Sequence, residues 1–171
     1  MGNKMILGLL ILILSSCDPQ PQQPTAAPRP VNWDNRTAML EGKDSLEAGS
    51  SYLSIYSQIY SISEQRTTDL TVTVSLRNPS LEDTVFISKA QYFDTQGTKI
   101  HDYLPHPIFI APMETVELVI HEIDKTGGTG ANFHFDWQKS PNGIEPLFEA
   151  VMISTYGQRG LSFTTQGVRI K

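Results

Sequence analysis

Apolar and polar residues alternate strictly along several stretches of this chain, and this alternation limits the folds open to it. Residues 70–77 place leucine or valine at every second position, with threonine, serine and arginine between them. Residues 133–138 alternate phenylalanine and tryptophan with polar side chains, and residues 116–121 alternate similarly except at Val119. A period of two is typical of β-strands that bury one face. These stretches are therefore predicted to be strands.

Turn signals between further apolar stretches complete the fold prediction. Residues 86–93 and 98–103 flank a short hairpin loop in which Gly97 supplies a positive φ. Residues 147–154 are apolar on both faces, which indicates a central strand or a short helix. For residues 50–171 we predict an all-β fold, an antiparallel, immunoglobulin-like β-sandwich of about seven to nine strands.

The start of the chain has the pattern of an export signal. Lys4 precedes an apolar run at residues 5–14, and small residues follow. We predict a secretory signal peptide over residues 1–16. A helix of about ten residues is roughly 15 Å long, half of the ~30 Å hydrocarbon core of a bilayer, so the run is too short for a stable span.

The single cysteine of the chain lies directly after this segment. Leu14-Ser15-Ser16-Cys17 resembles the bacterial lipobox. The resemblance implies diacylglycerol on the Cys17 sulfur, cleavage before Cys17 and usually a third acyl chain on the new amino terminus, the acyl chains being fatty acids such as palmitate. Two or three chains anchor a protein firmly, because each buried methylene adds about 0.8 kcal/mol. The alternative is an ordinary signal peptide with a cysteine nearby by chance. Lipidation predicts a bacterial envelope protein with its domain in the periplasm, and the choice of membrane stays open.

A proline-rich segment separates this cysteine from the predicted domain. Residues 18–30 contain five prolines and little hydrophobic bulk. Such a segment favours extended polyproline geometry and spans up to ~40 Å. We therefore assign residues 17–49 to the lipidated N-terminus and a spacer.

The charge of the chain argues against one class of partner. The net charge is −5, and there is no run of lysine and arginine. Nucleic acid is therefore not a predicted partner.

Four segments carry a family resemblance. They are YSQIY at residues 56–60, LTVTVSLRN at 70–78, DKTGGTGANF at 124–133 and EAVMI at 149–153. In this order they resemble a bacterial family catalogued only as a domain of unknown function, number three-one-two-four of that series. The resemblance covers about residues 46–171. It implies an exported, often lipid-anchored β domain and brings no established activity.

Three tyrosines are the main candidates for ligand binding. If residues 50–61 form one strand, Tyr52, Tyr56 and Tyr60 share a face with Gln58 and form an aromatic ladder. Tyrosine combines a rigid ring with a polar tip, which suits recognition of proteins or sugars. Alternatively, the rings cover a second layer of the protein, or the segment is a helix in which they pack four residues apart.

The glycine-rich segment at residues 127–130 has two interpretations. A phosphate-binding loop needs a lysine and a serine or threonine after its last glycine, but Ala131 and Asn132 lead into a predicted strand here. A strand connection that needs positive φ fits better. Asp124 and Asn132 would then brace the loop, and both are included among the candidate ligand-binding residues.

Catalytic and metal-binding patterns are weak. His101 and His106 lie close enough in sequence for a metal pair, but zinc needs three or four ligands. His121 and His134 fall on the polar faces of their strands. There is no Gly-x-Ser-x-Gly motif, and the one thiol is used by lipidation. We predict no metal, cofactor or catalytic residue.

The sequence thus predicts a non-enzymatic binding or structural module, anchored to a bacterial membrane through Cys17. Its predicted partner is an envelope protein or a glycan. The alternative is a periplasmic enzyme or metal-binding protein that uses the loop containing His101 and His106 together with residues 127–130.

Overall fold

The computed structural model describes residues 31–41, 45–155 and 160–171. In these residues the chain forms one 3₁₀ turn, Asp34–Arg36, and twelve strands. The strands are β1 (Glu47–Ile55), β2 (Gln58–Ser61), β3 (Ser63–Asp69), β4 (Thr71–Arg77), β5 (Val85–Phe93), β6 (Lys99–Asp102), β7 (Ile108–Ile110), β8 (Thr115–Ile120), β9 (Ala131–Lys139), β10 (Leu147–Ser154), β11 (Leu161–Gln166) and β12 (Val168–Arg169).

Most of these strands belong to two sheets. The larger sheet has the order β12, β1, β9, β5, β6, and β7 also pairs with β5. The smaller sheet has the order β11, β10, β4, β8. All the pairings are antiparallel. The predicted all-β antiparallel sandwich is confirmed, although the described residues contain twelve strands rather than about seven to nine.

The apolar positions of the alternating stretches fill the space between these sheets. Val72, Val74 and Leu76 of β4 are fully buried. Phe135 of β9 stacks on Phe148 of β10, in the opposite sheet, with ring centroids 4.1 Å apart. Full burial of a phenylalanine side chain stabilises the fold by about 1.5–3 kcal/mol. This core therefore decides which face of each strand points inward.

The segment at residues 147–154 is β10, an interior strand of the smaller sheet, so the helix alternative is wrong. Phe148, Ala150 and Met152 are buried in the core. Val151 and Ile153 lie on the opposite side and stay partly exposed. This second set of aliphatic residues is the reason that the segment is apolar on both faces.

A β-bulge interrupts the alternation of β5. Val85 and Ile87 are buried in the core, followed by Ala90 and Tyr92, so the inward positions change from odd to even numbers. The register with β9 shifts at this point, and Ser88 is the extra residue. Bulges are frequent next to binding sites because they re-aim side chains and bend the strand.

The single strand over residues 50–61, which the aromatic ladder requires, does not form. β1 ends at Ile55, and the Ser57 hydroxyl beyond it is buried and hydrogen-bonded to the Tyr92 hydroxyl at 2.8 Å. The chain then enters β2, which pairs with β3 in a separate two-stranded sheet. β3, Ser63–Asp69, contains only polar residues, so hydrophobic alternation did not reveal it.

Residues before β1 also contact the sandwich. Trp33 packs against the core. Thr37 forms an isolated antiparallel bridge with Ile108 of β7. This contact lies at the level of Gly49 and Trp137 in the larger sheet, as the strand registers show.

The remaining predictions about the N-terminus concern residues outside the described ranges. These are the signal peptide at 1–16, lipidation of Cys17, and the proline-rich stretch at 18–30. In the part of the chain that the structure describes, no helix has the length and apolar character needed to cross a bilayer.

Candidate functional site

Side chains of β1, β9 and β5 that point away from the core form a largely polar surface, named the outer face. Strand register places these residues in rows that cross the three strands. The rows, each read from β1 through β9 to β5, are Ala48, Gln138 and Phe86; Ser50, Asp136 and Lys89; Tyr52, His134 and Gln91; and Ser54, Asn132 and Phe93. Because directly opposed residues have Cβ atoms about 4.5–5.5 Å apart, a ligand of modest size that lies across a row would contact side chains of neighbouring strands.

Asp136 is the most connected residue of the outer face. Its Oδ1 accepts a hydrogen bond from Ser50 Oγ at 2.7 Å, and its Oδ2 lies 2.7 Å from Lys89 Nζ. His134 Nε2 lies 3.7 Å from Oδ1. Burial alone would raise the pKa of Asp136, but hydrogen bonds from Lys89 and Ser50 outweigh it and hold the pKa below its usual value. Asp136 is therefore a carboxylate at neutral pH.

An open groove of about 270 Å³ runs beside this carboxylate. Ser88, the extra residue of the bulge, lies along it and donates a hydrogen bond from Oγ to the Asp136 carbonyl oxygen at 3.2 Å. The residues that line the groove are Ala48, Gly49, Ser50, Ser88, Asp136, Trp137, Gln138 and Lys171. The groove thus joins the bulge of β5 to the polar centre of the outer face.

The three candidate tyrosines lie apart, so the aromatic ladder does not form. Tyr52 lies on the outer face and is 38% exposed. Tyr56 packs edge-to-face on Phe163, with ring centroids 5.8 Å apart, and borders the core, as the second-layer alternative predicted. Tyr60 lies on β2 and is 61% exposed. Only Tyr52 of the three is part of the outer face.

The glycine-rich loop at residues 127–130 connects β8 to β9 and has the geometry of a strand connection. Gly128 has a φ of 70°, in the left-handed region. Thr95 Oγ1 donates to the Gly127 carbonyl oxygen at 3.0 Å and accepts from the Gly130 amide at 3.0 Å. The loop backbone is thus bonded to the turn between β5 and β6.

Gly127 lies directly against the buried hydrogen bond between Ser57 and Tyr92. A β-carbon at this position would overlap the Tyr92 hydroxyl and crowd the Ser57 hydroxyl. The Tyr92 ring stacks on Phe133 with centroids 5.1 Å apart, and burial raises the pKa of Tyr92. A residue without a side chain is needed here because the loop closes over this pair.

The two residues predicted to brace this loop have different positions. Asp124 Oδ1 accepts hydrogen bonds from the amide of Thr126 at 3.0 Å and from its hydroxyl at 2.6 Å, so Asp124 does brace the loop. Asn132 lies on β9, opposite Ser54 and Phe93, and is a member of the outer face.

Gln58 connects the base of the two-stranded sheet to the glycine-rich loop. Its Nε2 donates to Asp69 Oδ1 at 2.7 Å, and its backbone amide donates to the Gly128 carbonyl oxygen at 3.1 Å. Lys125 Nζ lies 2.6 Å from Asp69 Oδ2. The hydrogen bond from Lys125, followed by that from Gln58, lowers the pKa of Asp69. Gln58 therefore has a structural partner.

The candidate metal ligands have separate neighbours. The His101 ring meets the Tyr103 ring edge-to-face, with centroids 4.7 Å apart. His106 Nε2 lies 3.3 Å from Thr37 Oγ1, and its Nδ1 lies 3.1 Å from the Pro107 carbonyl oxygen. Within residues 31–41, 45–155 and 160–171, no three His, Cys, Asp or Glu side chains are grouped so that they could hold a metal ion.

Sequence reasoning did not identify the groove. Two signals pointed towards it. Asp136 is an aspartate in the middle of a strongly predicted strand, where this residue type is uncommon. The apolar positions of β5 also change from odd to even across Ser88. Both signals are local, whereas the groove exists because pairing brings β1, β9 and β5 together.

These features define an all-β sandwich domain with a polar, grooved sheet face. The chain belongs to the family described as "Protein of unknown function (DUF3124)", whose model matches residues 48–170, and the predicted resemblance is confirmed. The search of curated proteins found no match. A solved structure described as "Crystal Structure of Thermotoga maritima 1070" aligns with 9% sequence identity and a TM-score of 0.42, covering 70% of this chain and 92% of that chain.

Proposed function

We propose that this chain is a lipid-anchored protein of the bacterial envelope that acts as a non-enzymatic binding module, with the outer face as its binding surface. The observation that carries the proposal is the grooved centre of the outer face, where Asp136, Ser50, Lys89 and Gln138 present hydrogen-bonding groups beside the aromatic ring of Tyr52. A surface of this kind suits an envelope protein or a glycan.

Support for the anchor comes from the sequence around Cys17. The lipobox-like residues 14–17 follow an apolar run too short to span a bilayer, and residues 18–30 are rich in proline. Acyl chains on Cys17 would hold the protein at a membrane. The proline-rich spacer would let the domain reach partners in the periplasm up to ~40 Å from the bilayer.

Support for the outer face comes from comparison with the other candidate residues. Gln58 hydrogen-bonds to Asp69 of β3, and Asp124 hydrogen-bonds to Thr126 next to the glycine-rich loop. Tyr56 packs on Phe163. Tyr52, by contrast, is 38% exposed and lies one row from Ser50, which lines the groove. The outer face therefore combines an exposed aromatic residue and polar groups with a concave feature.

The anchor is tested by mass spectrometry of the mature protein purified from membranes. We expect an N-terminal cysteine that carries acyl chains, and we expect Cys17→Ser to move the protein to the soluble envelope fraction. A mature N-terminus other than acylated Cys17 would refute the anchor.

The binding surface is tested by crosslinking in intact envelopes, followed by recovery of the full-length lipidated protein. Tyr52→Ala should reduce the yield of the crosslinked partner. Tyr60→Ala is the matched control, because it removes an exposed tyrosine that lies away from the outer face. Equal yields from wild type and Tyr52→Ala would refute the assignment of the outer face.

A further inference from the structure

We infer that the groove beside Asp136 is a saccharide site that holds one neutral, hydroxyl-rich sugar ring of an envelope glycan. This inference rests on the proposed function and specifies its ligand. It depends on the shape of the groove, the kinds of polar groups along it, and the charge of these groups.

The size of the groove selects a small ligand. Its volume is about 270 Å³, whereas sites for drug-sized molecules usually measure about 300–1,000 Å³. The groove is open to solvent, so it suits one unit of a longer chain whose neighbouring units continue across the sheet. Tyr52 lies two residues from Ser50 on the same face of β1, roughly 7 Å along the strand. It is therefore placed to contact a neighbouring sugar.

Hydrogen-bond donors and acceptors both line the groove. The Asp136 carboxylate accepts from Ser50 and Lys89 and keeps further lone pairs available. The Gln138 amide offers both donors and an acceptor, and the Ser88 hydroxyl, whose proton is donated to the Asp136 carbonyl oxygen, can accept. Each hydroxyl of a sugar also donates and accepts. Two adjacent hydroxyls would match this arrangement, with one donating to Asp136 and the other exchanging hydrogen bonds with Gln138.

The charges favour a neutral ligand. Lys89 lies 2.7 Å from the carboxylate of Asp136 and balances its charge, which disfavours a free metal cation at this position. An anion would meet the Asp136 carboxylate, whose cation Lys89 is already paired with it. The two charged side chains of the groove lining, Asp136 and Lys171, carry opposite charges, so the lining does not select for a net charge on the ligand. A neutral polyol avoids both conflicts and exchanges hydrogen bonds with groups already held in place.

The expected affinity is low and measurable. For a ring of about 12 non-hydrogen atoms, ordinary ligand efficiency gives a Kd on the order of 1 mM. An oligosaccharide that also contacts Tyr52 should bind more tightly than its monosaccharide.

The experiment uses the full-length lipidated protein in a detergent that has no sugar headgroup. Saturation-transfer NMR is recorded with glucose, galactose, N-acetylglucosamine and their short oligomers as probes. Inorganic phosphate is the anionic control, and its binding is followed by broadening of its ³¹P resonance because it has no carbon-bound proton. We expect at least one sugar to bind with a millimolar Kd and the phosphate resonance to stay unbroadened. Ser88→Ala and Gln138→Ala should each weaken sugar binding about fivefold, the effect of one lost hydrogen bond.

Gln91→Ala is the matched control, because Gln91 lies on the outer face but does not line the groove. It should leave the sugar Kd unchanged, and unfolding curves should show that all variants are folded. Sugar binding that is equal in wild type, Ser88→Ala and Gln138→Ala would overturn the site.

Combination with the crosslinking assay separates failure of this inference from failure of the proposed function. If no sugar binds while Tyr52→Ala still reduces capture of the envelope partner, the saccharide site is refuted and the binding module stands. If sugars bind in the groove while Tyr52→Ala leaves envelope capture unchanged, the site is supported and the wider outer face is refuted as the partner surface.

Discussion

Substitution of Gly127 by alanine tests how the glycine-rich loop closes over the core. The new methyl group would occupy the space of the Tyr92 hydroxyl, so the buried hydrogen bond to Ser57 must break or the loop must move away. Loss of a buried hydrogen bond costs about 1–3 kcal/mol, and overpacking costs a further 1–3 kcal/mol. We therefore expect Gly127→Ala to lower the free energy of unfolding by about 3 kcal/mol.

A double-mutant cycle shows whether this loss arises at Tyr92. Tyr92→Phe alone removes the hydroxyl and leaves Ser57 without its partner, at a cost of about 1–2 kcal/mol. In the double variant the methyl group of residue 127 gains the space that the hydroxyl left. The combined loss should therefore be no more than about 3 kcal/mol, smaller than the sum of the two single losses by at least about 1–2 kcal/mol.

Urea unfolding followed by tryptophan fluorescence measures these losses, because Trp137 is buried in the core. Gly97→Ala is the matched control. The new β-carbon at residue 97 would have no heavy atom within 4 Å. Because Gly97 has a φ of 80°, any loss of stability would come from backbone conformation alone. Gly97→Ala should show no coupling to Tyr92→Phe. Strict additivity of Gly127→Ala and Tyr92→Phe would refute the steric explanation.

Three further predictions concern other parts of the domain. Burial raises the pKa of Tyr103 to about 12, above an unfolded value of about 10. The burial of this neutral hydroxyl therefore contributes stability that is complete below about pH 10 and is lost between about pH 10 and 12. In Tyr103→Phe the free energy of unfolding should fall less over this pH range than in the wild type, by less than about 2 kcal/mol because the ring is partly solvated. Asn78→Ala should lower the free energy of unfolding in urea by about 3 kcal/mol, since this buried side chain makes three hydrogen bonds to backbone groups; a loss below 1 kcal/mol would contradict this account. Ile62→Gly should raise thermal stability by about 1 kcal/mol, because Ile62 is 91% exposed and its φ of 55° is strained for an isoleucine. Ile123→Gly is the control and should give no gain, because Ile123 is comparably exposed and has no positive φ.

Hydrophobic alternation was sufficient to predict the central strands. Residues 70–77 and 133–138 lie almost entirely within β4 and β9, and residues 116–121 overlap β8. In each case one side of the strand contributes to a single core, so the pattern in the sequence records the packing directly. The turn that contains Gly97 was also predicted correctly, because the positive φ of Gly97 is a local requirement of the turn.

Other elements depend on contacts between distant residues. The end of β1 is set by Ser57, whose buried partner Tyr92 is 35 residues away in the chain. β3 contains only polar residues and pairs with β2 without contributing apolar side chains to the core, so it leaves no hydrophobic pattern.

The candidate site was missed for the same reason. Asp136 and Ser50 are 86 residues apart in the chain and meet only because β1 pairs with β9. A single strand read alone shows which residues face solvent, and it does not show which of them become neighbours. Lipidation of Cys17 stays a prediction.

Because of the bulge at Ser88, the outer face can change in evolution while the core side chains stay the same. Val85, Ile87, Ala90 and Tyr92 would occupy every second position of β5 if Ser88 were deleted, so the strand would become regular without exchanging a single core side chain. Loss of one codon would thus flatten the wall of the groove and spare the hydrophobic interior. Two relatives with identical cores can therefore differ in whether they possess this cleft at all.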